Sequence, residues 1–217
     1  MEKKAADELL FKALSKLLHK KSIDKLSVQE ILDESGVSRA TFYRHYRDKY
    51  DLLNSNYRKI LEDTLFRFNE GFSYIEAQLR LYQVIKDNIK LFQNAIRSSD
   101  VNSLKNFIFD VSMDFHLKVL EKNGIDITDW KVRKKLESYI YGNLEIVVIW
   151  ILEGAKEPIA DLIEVLSSML PLEFRVFSYH RTNPNRMKQK NLQPIRNRNY
   201  SYLKASTGLI LAALVAG

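Results

Sequence analysis

Between Ser38 and His45 the chain places Ser38, Arg39, Thr41, Tyr43, Arg44 and His45, with no Asp or Glu among them. All six side chains can donate a hydrogen bond, and the two arginines carry permanent positive charge. Donors at a helix start with cations on its flank are the chemistry that fits a duplex groove. Base edges there present acceptors, and the phosphates alongside present negative oxygens. Ala40 keeps one position small, so the backbone can approach a base or phosphate closely. A polar helix face is ordinary by itself, so the weight falls on how this one is held.

Other chemistries find little support. The four histidines, His19, His45, His116 and His180, are scattered, and none has a metal-ligand spacing. His116 near Asp110 and Asp114 is the only suggestive cluster, and a helix-face histidine beside carboxylates is more often structural than a ligand. There is no cysteine, so disulfides and thiolate metal sites are excluded. No phosphate-binding glycine loop, dinucleotide-binding glycine motif or GxSxG nucleophile elbow occurs. The expectation is a protein without enzymatic activity, without a cofactor and without a metal.

The elements that must position the donor face are legible nearby. Residues 5–20 read as a helix in which Leu10, Leu14, Leu17 and Leu18 recur at three- and four-residue steps, opposite Lys12, Lys16 and Lys20. Ser27 followed by Glu30 makes a capping box, with Leu26 and Ile31 placed as a hydrophobic staple. Gly36 can take the positive φ that ends this helix. Ser38 then caps a second short helix, with Val37 and Phe42 as its staple. Phe42 and Tyr46, four apart, turn inward and leave the donors outward. Asp48 can cap a further helix, with Lys49 at its start placed for a backbone phosphate. Two capped helices around a glycine turn form a helix-turn-helix.

The string Ser27-Val28-Gln29-Glu30-Ile31-Leu32, then 36–46 with Gly-Val-Ser-Arg-Ala-Thr-Phe-Tyr-Arg-His-Tyr, then Asp48-Lys49-Tyr50-Asp51-Leu52-Leu53, resembles the DNA-binding head of the tetracycline-repressor (TetR) family. The likeness spans roughly residues 5–60. It implies that the second short helix is the recognition helix, with base or phosphate contacts from Ser38, Arg39, Ala40, Thr41, Tyr43 and His45. It implies phosphate contacts from Ser27, Val28 and Lys49; Arg44, a cation on the outward face, is counted among the DNA-binding residues. Tyr46 stands where that family usually has phenylalanine, so its hydroxyl needs a partner.

Beyond residue 48 the chain reads as helix after helix, predicted over 48–69, 74–97 (with room for a kink), 102–122, 129–153 and 158–169. Pro158 sits at a helix first turn. Residues 139–152 are apolar on nearly every face, which suits a core or a subunit interface. The resemblance implies that the last two helices pair with a second copy, and Tyr139, Ile146, Trp150, Leu162 and Val165 are the expected interface residues. The long helix with Trp150, then Glu153-Gly154 and Pro158, resembles regulators of the dihydroxyacetone-kinase type over about residues 74–170. Aromatics along the middle helices suit an apolar pocket. Tyr82, Phe92, Phe107 and Phe115 are the expected lining for a small-molecule effector, although any one such aromatic is more often ordinary core.

The net charge of +7 is unevenly spread. Residues 1–60 hold 13 Lys and Arg against 9 Asp and Glu, residues 61–180 hold 14 against 18, and residues 181–217 hold 7 against none. A basic head on an acidic body is the informative part. The last stretch, with Pro184 and Pro194, reads as a basic, irregular tail. Its apolar end, residues 209–216, is far shorter than the ~20 residues a membrane helix requires. The opening residues interleave charge with apolar side chains, unlike a secretory signal.

The expectation is therefore an all-α protein: a helix-turn-helix domain at 1–60, an effector-binding and dimerisation domain at 61–180, and a tail at 181–217. Its partners would be a two-fold symmetric DNA operator, a second copy of itself and a small effector, with no membrane and a cytoplasmic location. Repression and activation are physically equivalent outcomes, so a co-activator of the same fold stays open. So does a helical adaptor whose head binds protein.

Overall fold

The computed structural model describes residues 2–68, 72–172 and Phe174. The predicted tail, 181–217, lies outside them. Among the described residues there are nine α-helices and no strand.

Three helices form the head: α1 (Glu2–Leu18), α2 (Val28–Ser35) and α3 (Arg39–His45). Leu10, Leu14 and Leu18 of α1 are buried, and α1 packs along α2. The capping box is present, with the Glu30 amide donating to Ser27 Oγ at 3.2 Å and the Ser27 amide donating to Glu30 Oε2 at 2.9 Å. Lys21 also holds Glu30, and its hydrogen bond is the leading cause, ahead of those from Ser27, that lowers the Glu30 carboxyl to about 2. Gly36 closes α2 with φ 70°, a left-handed conformation that costs a side-chain-bearing residue energy. Ser38 caps α3 by accepting from the Thr41 amide at 3.1 Å.

The head continues into the body through α4 (Lys49–Asp63), capped by Asp48, which accepts from the Tyr50 and Asp51 amides at 2.8 Å each. This helix is shorter than predicted. It stops at Asp63, and Leu65–Arg67 form a 3₁₀ turn in which the buried Thr64 hydroxyl donates to the Ile60 carbonyl. The predicted helix 74–97 is two: α5 (Tyr74–Asp87) and α6 (Ile89–Ile96). The break falls at Asn88, whose side-chain amide donates back to the Val84 carbonyl at 2.8 Å. Such a side chain competes with the backbone for helix hydrogen bonds.

The body is completed by α7 (Leu104–Lys122), α8 (Trp130–Leu152) and α9 (Ile159–Ser168). Helix α7 packs on α8, α5 on α9, and α6 meets both α1 and α8. Helix α8 ends in a left-handed turn, Gly154 at φ 93° and Ala155 at φ 52°, with the Ala155 amide donating to the Trp150 carbonyl at 2.8 Å. No helix of the described residues is long and apolar enough to cross a membrane.

Candidate nucleic-acid interface and internal cavity

Helix α3 is pinned from beneath by aromatic packing. Phe42 is fully buried, its ring 5.8 Å from that of Tyr46, which in turn lies 6.2 Å from Phe11 of α1. The Tyr46 hydroxyl, which the sequence left in need of a partner, donates to Asp7 Oδ1 at 2.6 Å. Asp7 is itself buried, and Lys59 of α4 lies 3.7 Å from its other oxygen. One carboxylate thus joins α1, the end of α3 and α4.

With that side packed down, the opposite side of α3 faces outward. Ser38, Arg39, Ala40, Tyr43 and Arg44 are exposed, and Thr41 and His45 are half-buried. Tyr43 keeps 49 % of its surface accessible, high for so large an apolar ring. Arg39 is aimed before any ligand arrives: its guanidinium donates to Gln29 Oε1 at 2.7 Å and stands 6.0 Å from the Tyr43 ring centroid. Gln29 is oriented in turn by donating to Asp33 Oδ1 at 2.8 Å. Gln29 is a positioning residue that sequence reasoning missed; its place one turn before Asp33 on α2 was the available signal.

Of the expected phosphate contacts, Ser27 is exposed and Val28 half-buried beside it at the start of α2. Lys49 is also engaged inside the head. Its ammonium donates to the carbonyls of Asp24 and Leu26, at 3.0 and 2.8 Å, and so ties the start of α4 to the chain entering α2. Two of its three donors are used within the head. Nearby, Tyr50 donates to Asp24 Oδ1 at 2.9 Å. The Asp24 carboxyl is held below its usual range, first by the Ser98 hydroxyl from the body and then by Tyr50 and Lys49.

Between α4 and α8 the body holds a partly open cavity of about 80 Å³. Tyr82 and Phe92 are among its lining residues. Phe107 and Phe115 are not: Phe107 packs edge-on to Tyr57 at 6.5 Å and under Arg58, and Phe115 stacks on Phe66 at 5.4 Å. Their helix, α7, turns Ile108, Ser112 and His116 inward instead. Tyr139, expected at a subunit interface, also lines the cavity, with Tyr57, Tyr74, Gln78 and Asn143.

His116 is a member of this lining and not part of a metal cluster. Its Nδ1 lies 2.7 Å from the Ser112 carbonyl, so that nitrogen carries the proton, and Nε2 accepts from the Tyr74 hydroxyl at 2.8 Å. Asp114 points away to Lys118. Burial pushes the imidazole down to about 4. Burial likewise raises the phenols of Tyr57, Tyr74 and Tyr82, and raises Tyr139 to about 12. Every titratable group of the cavity is thereby neutral near pH 7. Among the described residues no cluster of metal-ligating side chains occurs.

The expected interface residues are not alike in their exposure. Tyr139, Trp150 and Leu162 are buried within the single chain, so pairing could cover little more of them. Trp150 donates through its indole N–H to the Glu157 carbonyl at 3.3 Å, and its ring lies 6.1 Å from that of Tyr82. Ile146 is half-buried and Val165 is 49 % exposed. The exposed apolar stripe on α8 runs through Tyr141, Ile149 and Leu152, and Val165 and Met169 continue it beyond α8. A Cβ at Gly142 would meet the Met169 methyl, just past α9, at 3.2 Å.

Compared with known families, residues 10–55 match bacterial regulatory proteins of the tetR family. Residues 73–171 match the C-terminal region of a transcriptional regulator family. No curated protein matches the chain. The two matched segments follow one another along the chain, separated by residues 56–72, which hold the second half of α4 and the 3₁₀ turn before α5. A head built on a capped helix-turn-helix and a helical body matched to a regulator's C-terminal region have one common meaning: this chain belongs to the tetR family and is a DNA-binding transcriptional regulator.

Proposed function

We propose that the protein is a repressor that binds a two-fold symmetric operator as a homodimer and releases it when a small effector enters the body. Regulators of this family bind DNA and typically form dimers, and are generally not enzymes. In this reading residues 1–60 read DNA and residues 61–180 pair and sense. The observation that carries it is the carboxylate-free face of α3, held outward by the burial of Phe42 and Tyr46. Ser38, Arg39, Ala40, Thr41, Tyr43 and His45 contact base edges or adjoining phosphate, and Arg44, Ser27 and Val28 contact phosphate. Lys49 meets the backbone with its remaining donor.

Pairing uses the stripe of α8 and α9, with Ile146 and Val165 from the expected set and Tyr141, Ile149 and Met169 beside them. A single recognition helix covers few base pairs, and two-fold pairing doubles the contacts. Ile149→Arg would bury a charge at the middle of that stripe without a partner. Self-association is expected to weaken at least about tenfold, the equivalent of roughly 1.4 kcal/mol. Sedimentation velocity across a concentration series measures it; a dimer as tight as the parent's would place the interface elsewhere.

The route from cavity to head runs through α6. Phe92 and Ile96 line the cavity, while Asn94 between them donates to the Leu18 carbonyl at the end of α1, 2.8 Å away. A ligand that displaces α6 therefore moves the support of the head. By linkage, an effector that favours a head spacing misfitting the two half-sites weakens DNA binding, and DNA weakens the effector equally.

The test is selection of genomic fragments by the purified protein, followed by titration of the recovered site against salt. Groove binding gives a two-fold site and a steep loss of affinity with salt. Tyr43→Ala is expected to weaken the recovered site by about 1 kcal/mol or more, while random duplex changes little. An equal loss on both would assign Tyr43 to phosphate.

A further inference from the structure

The cavity of the body has a composition that selects its ligand. Its lining contains no Lys, Arg, Asp or Glu, and most of it is aliphatic or aromatic. Two carboxamide oxygens, Gln78 Oε1 and Asn143 Oδ1, are buried with no hydrogen-bond partner, and Gln78 as a whole is 96 % covered. Buried carbonyl oxygens without donors are costly and are normally satisfied. Both residues line the cavity.

We propose that the cavity binds a small neutral molecule with an apolar ring and a hydroxyl or N–H donor, a phenol-type ligand, whose donor meets Gln78 Oε1 or Asn143 Oδ1. This rests on the reading of the cavity as the effector site. Charge is excluded by the lining: a carboxylate or ammonium would be desolvated there with no counter-ion. An apolar ring without a donor fits the walls but leaves both oxygens as they are. The Tyr74 hydroxyl cannot serve as the donor's rival, because its proton is engaged by His116. Size adds a consequence. A cavity of roughly 150 Å³ holds benzene, whereas this one is about 80 Å³. A ring enters only if the walls move apart, and Phe92 and Ile96 on α6 are among those walls.

The experiment uses the full chain at pH 7.5 with three probes of similar shape: 4-methylphenol, toluene and 4-methylbenzoate. Binding is followed by calorimetry and by the shift in melting temperature, and operator affinity is measured at saturation. The expected result is that 4-methylphenol binds about tenfold or more tightly than toluene, the usual value of one hydrogen bond to a buried group. The benzoate does not bind over the same range, and 4-methylphenol lowers operator affinity. In Gln78→Leu or Asn143→Leu, at least one variant brings 4-methylphenol and toluene to within about twofold while toluene binding persists. Equal binding of the benzoate, or a phenol advantage that survives both substitutions, overturns the proposed ligand class. Toluene matching 4-methylphenol in the parent protein overturns the donor requirement while leaving the cavity as a binding site. Failure of all three probes to bind overturns the effector reading itself.

Discussion

Phe42→Ala is expected to destabilise the protein by about 3–5 kcal/mol and to abolish operator binding. The ring is fully buried in a head of three short helices. Helix α3 has only seven residues and cannot persist unless its inner side is packed. Its inner side consists of Phe42 and Tyr46, and Tyr46 reaches α1 through Phe11 and Asp7. Removing Phe42 leaves a void between α3 and the rest of the head and loosens the donor face as a unit. Urea unfolding with circular dichroism gives the stability, and fluorescence anisotropy on the selected site gives the binding. Tyr43→Ala serves as the contrast, since that ring is half exposed and its loss should touch specificity and leave stability nearly unchanged. A Phe42→Ala protein within about 1 kcal/mol of the parent would mean that α3 is held by something other than its buried aromatic.

Stability is also expected to fall as pH drops from about 6.5 to about 4, by up to roughly 3 kcal/mol. The cause is His116. In the unfolded chain an imidazole takes its proton near pH 6.5, whereas burial in the folded body pushes His116 down to about 4. Between those values the unfolded state binds a proton that the native state refuses, so acid favours unfolding. Above about 6.5 the contribution is complete, and below about 4 both states are protonated and the curve flattens. The folded protein resists the proton because both ring nitrogens are committed, Nδ1 to Ser112 and Nε2 to Tyr74. Charging Nε2 would bury a cation and force the Tyr74 hydroxyl to turn round and accept.

Urea midpoints at pH 7.5, 5.5 and 4.5 measure this loss, and the double variant His116→Leu/Tyr74→Phe separates it from other groups. That variant removes both partners of the hydrogen bond together and should show a visibly shallower decline. Parallel declines in the two proteins would show that His116 charges in place without cost. Glu30 adds its own acid sensitivity in a different window. Its carboxyl is held at about 2 chiefly by Lys21 and then by Ser27, so its contribution is present above about 4.5 and is lost as pH falls toward 2. The stretch from 6.5 to 4.5 therefore belongs to the histidine.

What could be read from the sequence alone was whatever acts over one or two helical turns. The caps at Ser27, Ser38 and Asp48, the glycine stop at Gly36 and the inward pair Phe42 and Tyr46 are relations between residues two to four apart. Backbone geometry makes those relations nearly independent of the rest of the chain. The all-helical class, the head and the outward donor face follow from them. Where helices ended without such a signal, as at Asp63 and Asn88, periodicity ran through the break. The partner of Arg39, a side chain 10 residues away, and those of Lys49, backbone carbonyls 23 and 25 residues away, were decided by the fold.

The cavity and the exposed apolar side of α8 needed the tertiary structure because they depend on which sides of distant helices meet. His116 and Tyr74 are 42 residues apart, and Asn94 and Leu18 are 76 apart. Residues 139–152 are apolar almost all round, so periodicity could not say which side the chain's own core would take. Packing drew in Tyr139 and Trp150 and left Tyr141 and Ile149 outside. A helix with two apolar faces has two possible partners, and only the folded neighbours choose between them.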